Sequence, residues 1–361
     1  MSVVEFATEK PYQAVIGPGV LDQLGRYLGA ATKVGVLHAP PLSGAAQRAA
    51  DTVRAAGAEP VLIELPEGES AKTPRVLADT WSALAVAGFT RGDLIVGIGG
   101  GATTDLAGFI AATWMRGIRW VSAPTTVLAM VDAGIGGKTG ADLPEGKNLI
   151  GAFWEPSAVL ADTGLLGTLP VGELRAGLGE VIKHGFIADG RTLDLIAASP
   201  SEALDPTSPL LTELITRSVQ VKARVVSADL RESMSVGDDV GREQLNYGHT
   251  LGHAIEAGEH FTRRHGECVG LGMIFAAELA HRTIGLAAEH VDRHRRMLEL
   301  VGLPTSYRGI GWERARALMA RDKKTRGSTL RFVGLRAPGD VTMIVDPPEQ
   351  ALLEAWDALT G

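Results

Sequence analysis

Asp93-Leu-Ile-Val-Gly97 is a short apolar run that ends in the glycines of Gly97-Ile-Gly99-Gly100-Gly101-Ala-Thr-Thr-Asp105. A strand without a polar face must be covered on both sides, and a parallel sheet between two helical layers does this. The flanking pattern agrees. Tyr12–Ile16, Lys33–Leu37, Val61–Leu65 and Trp120–Ala123 read as further strands. Ser43–Ala56, Arg75–Ala87 and Asp105–Trp114 read as helices between them, the first two stopped by Gly57 and Gly88. This alternation predicts an α/β unit with a parallel, Rossmann-like sheet. Ligands of such sheets gather beyond the carboxyl ends of the strands.

From about Pro170 the period becomes helical. Glu173–Ala188, Pro209–Asp229, Arg242–Glu259, Gly266–Thr283, Ala287–Val301 and Trp312–Ala320 all carry it, with Gly and Pro at the joins. The expected organisation is an α/β nucleotide-binding domain over residues 1–169 and a mostly helical domain for metal and substrate over 170–361. A chain of 361 residues can build both cores. The acidic, glycine-containing stretch Ser233–Gly241 is expected as an exposed loop.

Composition narrows the partners. The net charge is −7, and no Lys/Arg block is long enough to track a nucleic-acid backbone. No apolar run reaches membrane-spanning length, and Met1–Phe6 lacks the cationic start of a signal peptide. The single cysteine, Cys268, excludes an internal disulfide and fits the cytoplasm. It is expected as a buried small hydrophobe.

Three segments carry the chemistry. In the glycine turn, Gly97-x-Gly99-x-x-Ala102 follows a strand and opens a helix, the context of a pyrophosphate cradle. Gly100, Gly101 and Asp105 crowd the same turn, and Thr125 and Thr126 follow the next strand. No acidic residue for a ribose stands about 20 residues on, so the arrangement is not the standard dinucleotide one. A second, glycine-bordered loop region carries Asp132, Lys138, Lys147 and Asn148 and suits an anionic ligand. The third group is Glu180 with Lys183, then Asn246, His249 and His253, then His265 with Glu267. Glu180 and Lys183 share a helix face. Asn246, His249 and His253, at i, i+3 and i+7, share one too. One carboxylate and two imidazoles suit Zn²⁺ with a position left open. His249-x-x-x-His253 has a zinc-protease spacing, but Thr250 follows His249 where the protease needs its Glu. His38, His281, His290 and His294 read as ordinary core or surface imidazoles. Arg116, Lys222, Arg242 and the cationic turn Arg321–Gly327 would make a cation-rich site in an acidic protein, which suits a phosphorylated or carboxylated small substrate.

Taken together, Pro66–Lys72, Gly99–Phe109, Pro124–Thr126, Gly136–Thr139, Gly146–Phe153, Glu180–Lys183, Leu245–Glu256 and His265–Glu267 resemble the 3-dehydroquinate synthases, of the sugar-phosphate cyclase superfamily, over nearly the whole chain. The resemblance implies that Glu180, His249 and His265 hold Zn²⁺ or Co²⁺. It implies NAD contacts from Glu69, Lys72, Gly100, Gly101, Asp105, Thr125, Thr126, Lys138, Lys147 and Thr168. It also implies that Asp132, Lys138, Asn148, Lys183, Lys222, Arg242, Asn246, His253 and one or both of Lys323 and Lys324 hold the substrate. Arg116 would reach the substrate phosphate of the neighbouring subunit in a homodimer. Two departures stand out: His38 occupies the place of a usual ribose-binding acid, and the loop Ser233–Gly241 is longer than the usual connection to Arg242.

The reaction implied is that of a phosphate-eliminating carbon–oxygen lyase, with 3-deoxy-arabino-heptulosonate 7-phosphate as substrate and 3-dehydroquinate as product. Transient oxidation at C5 acidifies the neighbouring C–H, phosphate leaves by β-elimination, the hydride returns, and ring opening precedes an intramolecular aldol closure. His253 is the candidate for moving the C5 hydroxyl proton. Two rival readings are a sister cyclase, such as an aminodehydroquinate synthase, and a metal-dependent polyol dehydrogenase.

Overall fold

Val34 and Val36 of one strand, and Leu94, Val96 and Ile98 of the next, are wholly buried on one face of a sheet. Leu37 and Ile95, on the alternate positions, are buried on the other. Both faces are covered because both carry apolar side chains. The computed structural model describes residues 1–231, 240–322 and 330–361. They divide into two compact units, Met1–Leu169 and Pro170–Gly361.

In the first unit the elements run β1 (Ser2–Phe6), β2 (Tyr12–Gly17), β3 (Lys33–His38), α1 (Ser43–Ala55), β4 (Glu59–Glu64), α2 (Pro74–Val86), β5 (Leu94–Gly99), α3 (Gly101–Thr113), β6 (Arg119–Pro124), β7 (Lys138–Leu143), β8 (Gly146–Phe153) and β9 (Ala158–Asp162). Seven strands form one sheet in the order β1-β2-β9-β6-β5-β3-β4. Every pair in it is parallel except β1 with β2. The chain moves outward from β3 to β4, then returns to place β5 on the other side of β3. That reversal opens the crevice where ligands of parallel sheets bind, and the glycine turn after β5 lies beside it.

The glycines of that turn divide their work. A Cβ on Gly97 would lie 2.5 Å from the Cβ of Ala107, and one on Gly99 would lie 2.5 Å from the Thr103 side chain. These two therefore let α3 pack against β5, whereas Gly100 and Gly101 open the helix. The buried Asp93 ties β3 to β5. It accepts from the backbone N–H groups of Thr32, Lys33 and Thr90 and from the hydroxyls of Thr32 and Thr90.

Residues 138–153 are a two-stranded antiparallel ribbon of β7 and β8, not the loop that their glycines predicted. Only Thr139, Gly140 and Ala141 of the two strands are buried, so no apolar alternation announced it. Its backbone pairing and its packing along α3 make it a hairpin.

The second unit runs α4 (Val171–Ile187), α5 (Gly190–Ala198), α6 (Pro200–Ala203), α7 (Pro209–Ala228), α8 (His249–Gly258), α9 (His265–Ile284), α10 (Ala288–Leu300), α11 (Trp312–Asp322), β10 (Arg331–Ala337), β11 (Asp340–Val345) and α12 (Glu349–Thr360). It is mostly helical, as expected, with one antiparallel hairpin, β10–β11, that the sequence reading lacked. One expectation is corrected. Arg242–Glu259 is not a continuous helix. A 3-10 turn covers Gly241–Asn246, Gly248 breaks it at φ 80°, and α8 begins at His249. Asn246 therefore does not share a helix face with His249 and His253. Most of the loop Ser233–Gly241, together with Lys323 and Lys324, lies outside the described residues.

Candidate active site

In the first unit the predicted residues collect at the carboxyl ends of the parallel strands. Glu69 and Lys72 follow β4, Gly100, Gly101 and Asp105 follow β5, Thr125 and Thr126 follow β6, and Thr168 follows β9. Lys72, almost fully buried, is the hub. Its ammonium is 2.8 Å from Asp105 Oδ2 and 3.7 Å from Asp142 Oδ1, and it donates to Asn148 Oδ1 at 2.5 Å. Burial pushes the Asp105 carboxyl up to about 6 against the pull of Lys72, with Glu69 and Asp132 adding to the rise. Burial also works against the charge on Lys72, but Asp105, Glu69 and Asp142 outweigh it and hold its pKa above the usual value. The pair is thus ionised at neutral pH. Lys147 bridges to Glu69 at 3.1 Å. The hairpin carries Lys147 and Asn148 into this network. Lys138 stands at the far end of β7, four residues and about 13 Å from Asp142. Arg116 is exposed, at the end of α3 away from the glycine turn, roughly 20 Å along a helix of 13 residues. Met115 and Arg116 both take left-handed φ, 47° and 71°, which turns Arg116 out of the helix line.

In the second unit three helices bring Glu180, His249 and His265 together, with one donor atom from each within 4.8 Å of the others. His249 Nε2 lies 3.7 Å and His265 Nε2 lies 3.5 Å from Glu180 Oε1. Glycines beside the ligands make this possible. A Cβ on Gly266, next to His265, would lie 1.8 Å from the Ala176 carbonyl of α4, and one on Gly179, next to Glu180, would lie 2.7 Å from the Gly266 carbonyl. A Cβ on Gly248, next to His249, would lie 2.7 Å from the Val269 carbonyl of α9. The helices touch backbone to backbone where the ligands project.

The donor set fits a zinc-type ion. Donors about 2.0–2.1 Å from a tetrahedral ion stand about 3.4 Å apart, near the spacings found here. Burial, with Lys183 next, holds the His249 imidazole well below its ordinary pKa, so it is neutral, the form that ligates. Burial also disfavours charge on His265, but Glu180 and Glu256 outweigh it and push its pKa up to about 10. A metal held there would take the place of a proton. Lys183 pairs with Glu180 Oε2 inside the unit, one turn along α4. His253 is exposed and its ring stands 5.1 Å from that of His249 and 6.0 Å from that of His265. Lys222 on α7 and Arg242 are buried, and Arg242 donates to the Leu230 carbonyl at 2.5 Å. Asn246 ends the 3-10 turn beside α8.

Two participants were not singled out from sequence. Asp142 reaches Lys72 only through the hairpin, and nothing in the chain's periodicity reveals it. Glu256 lies seven residues after His249, and a count along the helix face would have found it. Cys268 is buried as expected. His294 is a core imidazole, stacked on Phe186 at 3.5 Å and hydrogen-bonded to the Tyr247 hydroxyl at 2.9 Å.

This fold recurs in solved cyclases. 2-epi-5-epi-Valiolone synthase from Streptomyces hygroscopicus, solved with NAD⁺ and Zn²⁺ bound, superimposes with a TM-score of 0.87 at 26% identity, over 96% of each chain. 2-Deoxy-scyllo-inosose synthase, solved with carbaglucose-6-phosphate, NAD⁺ and Co²⁺, gives 0.86 at 25% identity over 98% of each. Residues 62–176 match the family model of the 3-dehydroquinate synthase N-terminal domain, and residues 177–325 match that of its C-terminal domain. The 3-dehydroquinate synthase of Cutibacterium acnes is 53% identical over 99% of both chains. The chain belongs to the 3-dehydroquinate synthase family, and its activity is that of the family, a phosphate-eliminating lyase acting on a sugar phosphate.

Proposed function

We propose that the first unit holds NAD through Glu69, Lys72, Gly100, Gly101, Asp105, Thr125, Thr126, Lys138, Lys147 and Thr168, and that Glu180, His249 and His265 of the second hold Zn²⁺ or Co²⁺. The one observation that carries this reading is the convergence of a carboxylate and two imidazoles at ligand spacing, with Lys183 against the carboxylate. The NAD⁺- and metal-bound cyclases above support it. When bound, NAD accepts and returns a hydride, and the metal acts as a Lewis acid toward substrate hydroxyls.

The chain's own side chains do the rest. Lys183, Asn148 and Arg116 bind phosphate and balance its charge as it leaves. Lys138, Lys222, Arg242, Asn246, Asp132 and Lys324 orient the carboxylate and hydroxyls. The His253 imidazole moves the proton of the C5 hydroxyl, being exposed and beside both ligand histidines. The substrate is 3-deoxy-arabino-heptulosonate 7-phosphate. Arg116, turned outward on a left-handed backbone, supports a homodimer in which it serves the partner's site. A cytoplasmic location agrees with the single buried cysteine, and no helix among the described residues is long and apolar enough to cross a membrane.

The test gives zinc-loaded protein NAD and the heptulosonate phosphate, and follows inorganic phosphate and NADH absorbance together. Phosphate release without accumulating NADH is expected. Accumulating NADH without phosphate would instead mean a polyol dehydrogenase, and silence in both channels would mean a sister cyclase with another substrate.

A further inference from the structure

The two imidazoles of the metal cluster present the same nitrogen to Glu180 but are held from behind differently. His249 Nδ1 faces the main-chain carbonyl of Tyr247 at 3.1 Å. That carbonyl is fixed because Tyr247 is buried and its hydroxyl meets His294. His265 opens α9. Its Nδ1 faces a carboxylate instead, Glu256 Oε1 at 3.2 Å. Glu256 sits on α8, two turns beyond His249, and is only 9% exposed. A helix start also disfavours positive charge, so electron density drawn from His265 toward a cation costs more there than it does mid-helix. A carboxylate behind the ring offsets that cost, fixes the tautomer and raises the basicity of the opposite nitrogen.

We infer that Glu256 is a positioning residue for His265: it accepts the Nδ1–H and so commits Nε2 to the metal. The inference rests on the metal centre proposed above. His253, Glu256 and His265 also place one donor atom each within 4.8 Å, which raises the possibility of a second cation. The geometry favours positioning, because a cation on His265 Nδ1 while Nε2 holds the first would need the ring stripped of both protons.

Glu256→Ala, Glu256→Gln and the unchanged chain are compared at one pH in competition with a chromophoric zinc chelator. NAD affinity and the melting temperature of metal-free protein are read alongside. Expected is one zinc per chain throughout, with affinity about 10–100-fold weaker in Glu256→Ala and a smaller loss in Glu256→Gln, which keeps an acceptor oxygen but not the charge. NAD affinity stays unchanged, and metal-free melting falls only modestly, by the loss of the Glu256–His265 pair. Zinc affinity equal to that of the unchanged chain would overturn the role of Glu256 alone. A matching loss of NAD affinity would reduce it to a packing residue. Two zinc ions in the unchanged chain and one in the variants would make it a ligand of a second cation. An unchanged chain that takes up no zinc would overturn the metal centre itself, and this inference with it.

Discussion

Single residues in this chain are held by donors rather than by area alone. Asp93 is the clearest case. Burial pushes its carboxyl up, but bonds from Thr90, Lys33 and Thr32 outweigh this and leave its pKa below the ordinary 3.8. The folded state thus favours the charged form. Its stabilisation is complete above the ordinary carboxylate pKa and is lost as pH falls through the lower folded value. Asp93→Ala is expected to cost about 1.5–3 kcal/mol at pH 7, the range for hydrogen bonds to a charged group. In urea unfolding, the gap between Asp93→Ala and the unchanged chain should shrink in strong acid. A gap that stays constant down to low pH would show that the charge is not what matters.

At the scale of elements, α4, α8 and α9 cross so closely that Glu180, His249 and His265, the proposed ligands, converge without any loop. Gly266 is the tightest point, with no room for a methyl against the Ala176 carbonyl. Gly266→Ala forces α4 and α9 apart, and overpacking of this kind costs about 1–3 kcal/mol or more. The same displacement separates Glu180 from His265. The expected result is a lower melting temperature together with weakened zinc affinity. A variant that melts earlier yet binds zinc as before would show that the crossing does not set the ligand spacing. The β7–β8 hairpin works similarly in the first unit, since it carries Asn148 and Lys147 to Lys72 and Glu69.

For the whole molecule, the proposed ligand set, drawn from three helices, has no counterpart in the unfolded chain, so metal bound there would add to folding stability. Zinc at 100 times its dissociation constant should stabilise the protein by about 2.7 kcal/mol. Calorimetry with and without chelator checks this, and an unchanged melting temperature would argue against a site that exists only in the fold. The sequence alone determined the division into a parallel α/β unit and a helical unit, because short continuous apolar runs and amphipathic helices of period 3.6 are patterns that survive without partners. It also singled out Glu180, His249 and His265, which the fold brings together, because their residue types are uncommon together and their surrounding motifs are distinctive. It did not reveal the break at Gly248, because a helical period continues on paper through a residue whose left-handed φ stops the helix. It concealed the hairpin of residues 138–153, whose pairing is made by backbone groups common to every residue. The contacts of Glu256 with His265 and of Asp142 with Lys72 were decided only by tertiary structure, since distance between side chains on different elements depends on how closely those elements pack.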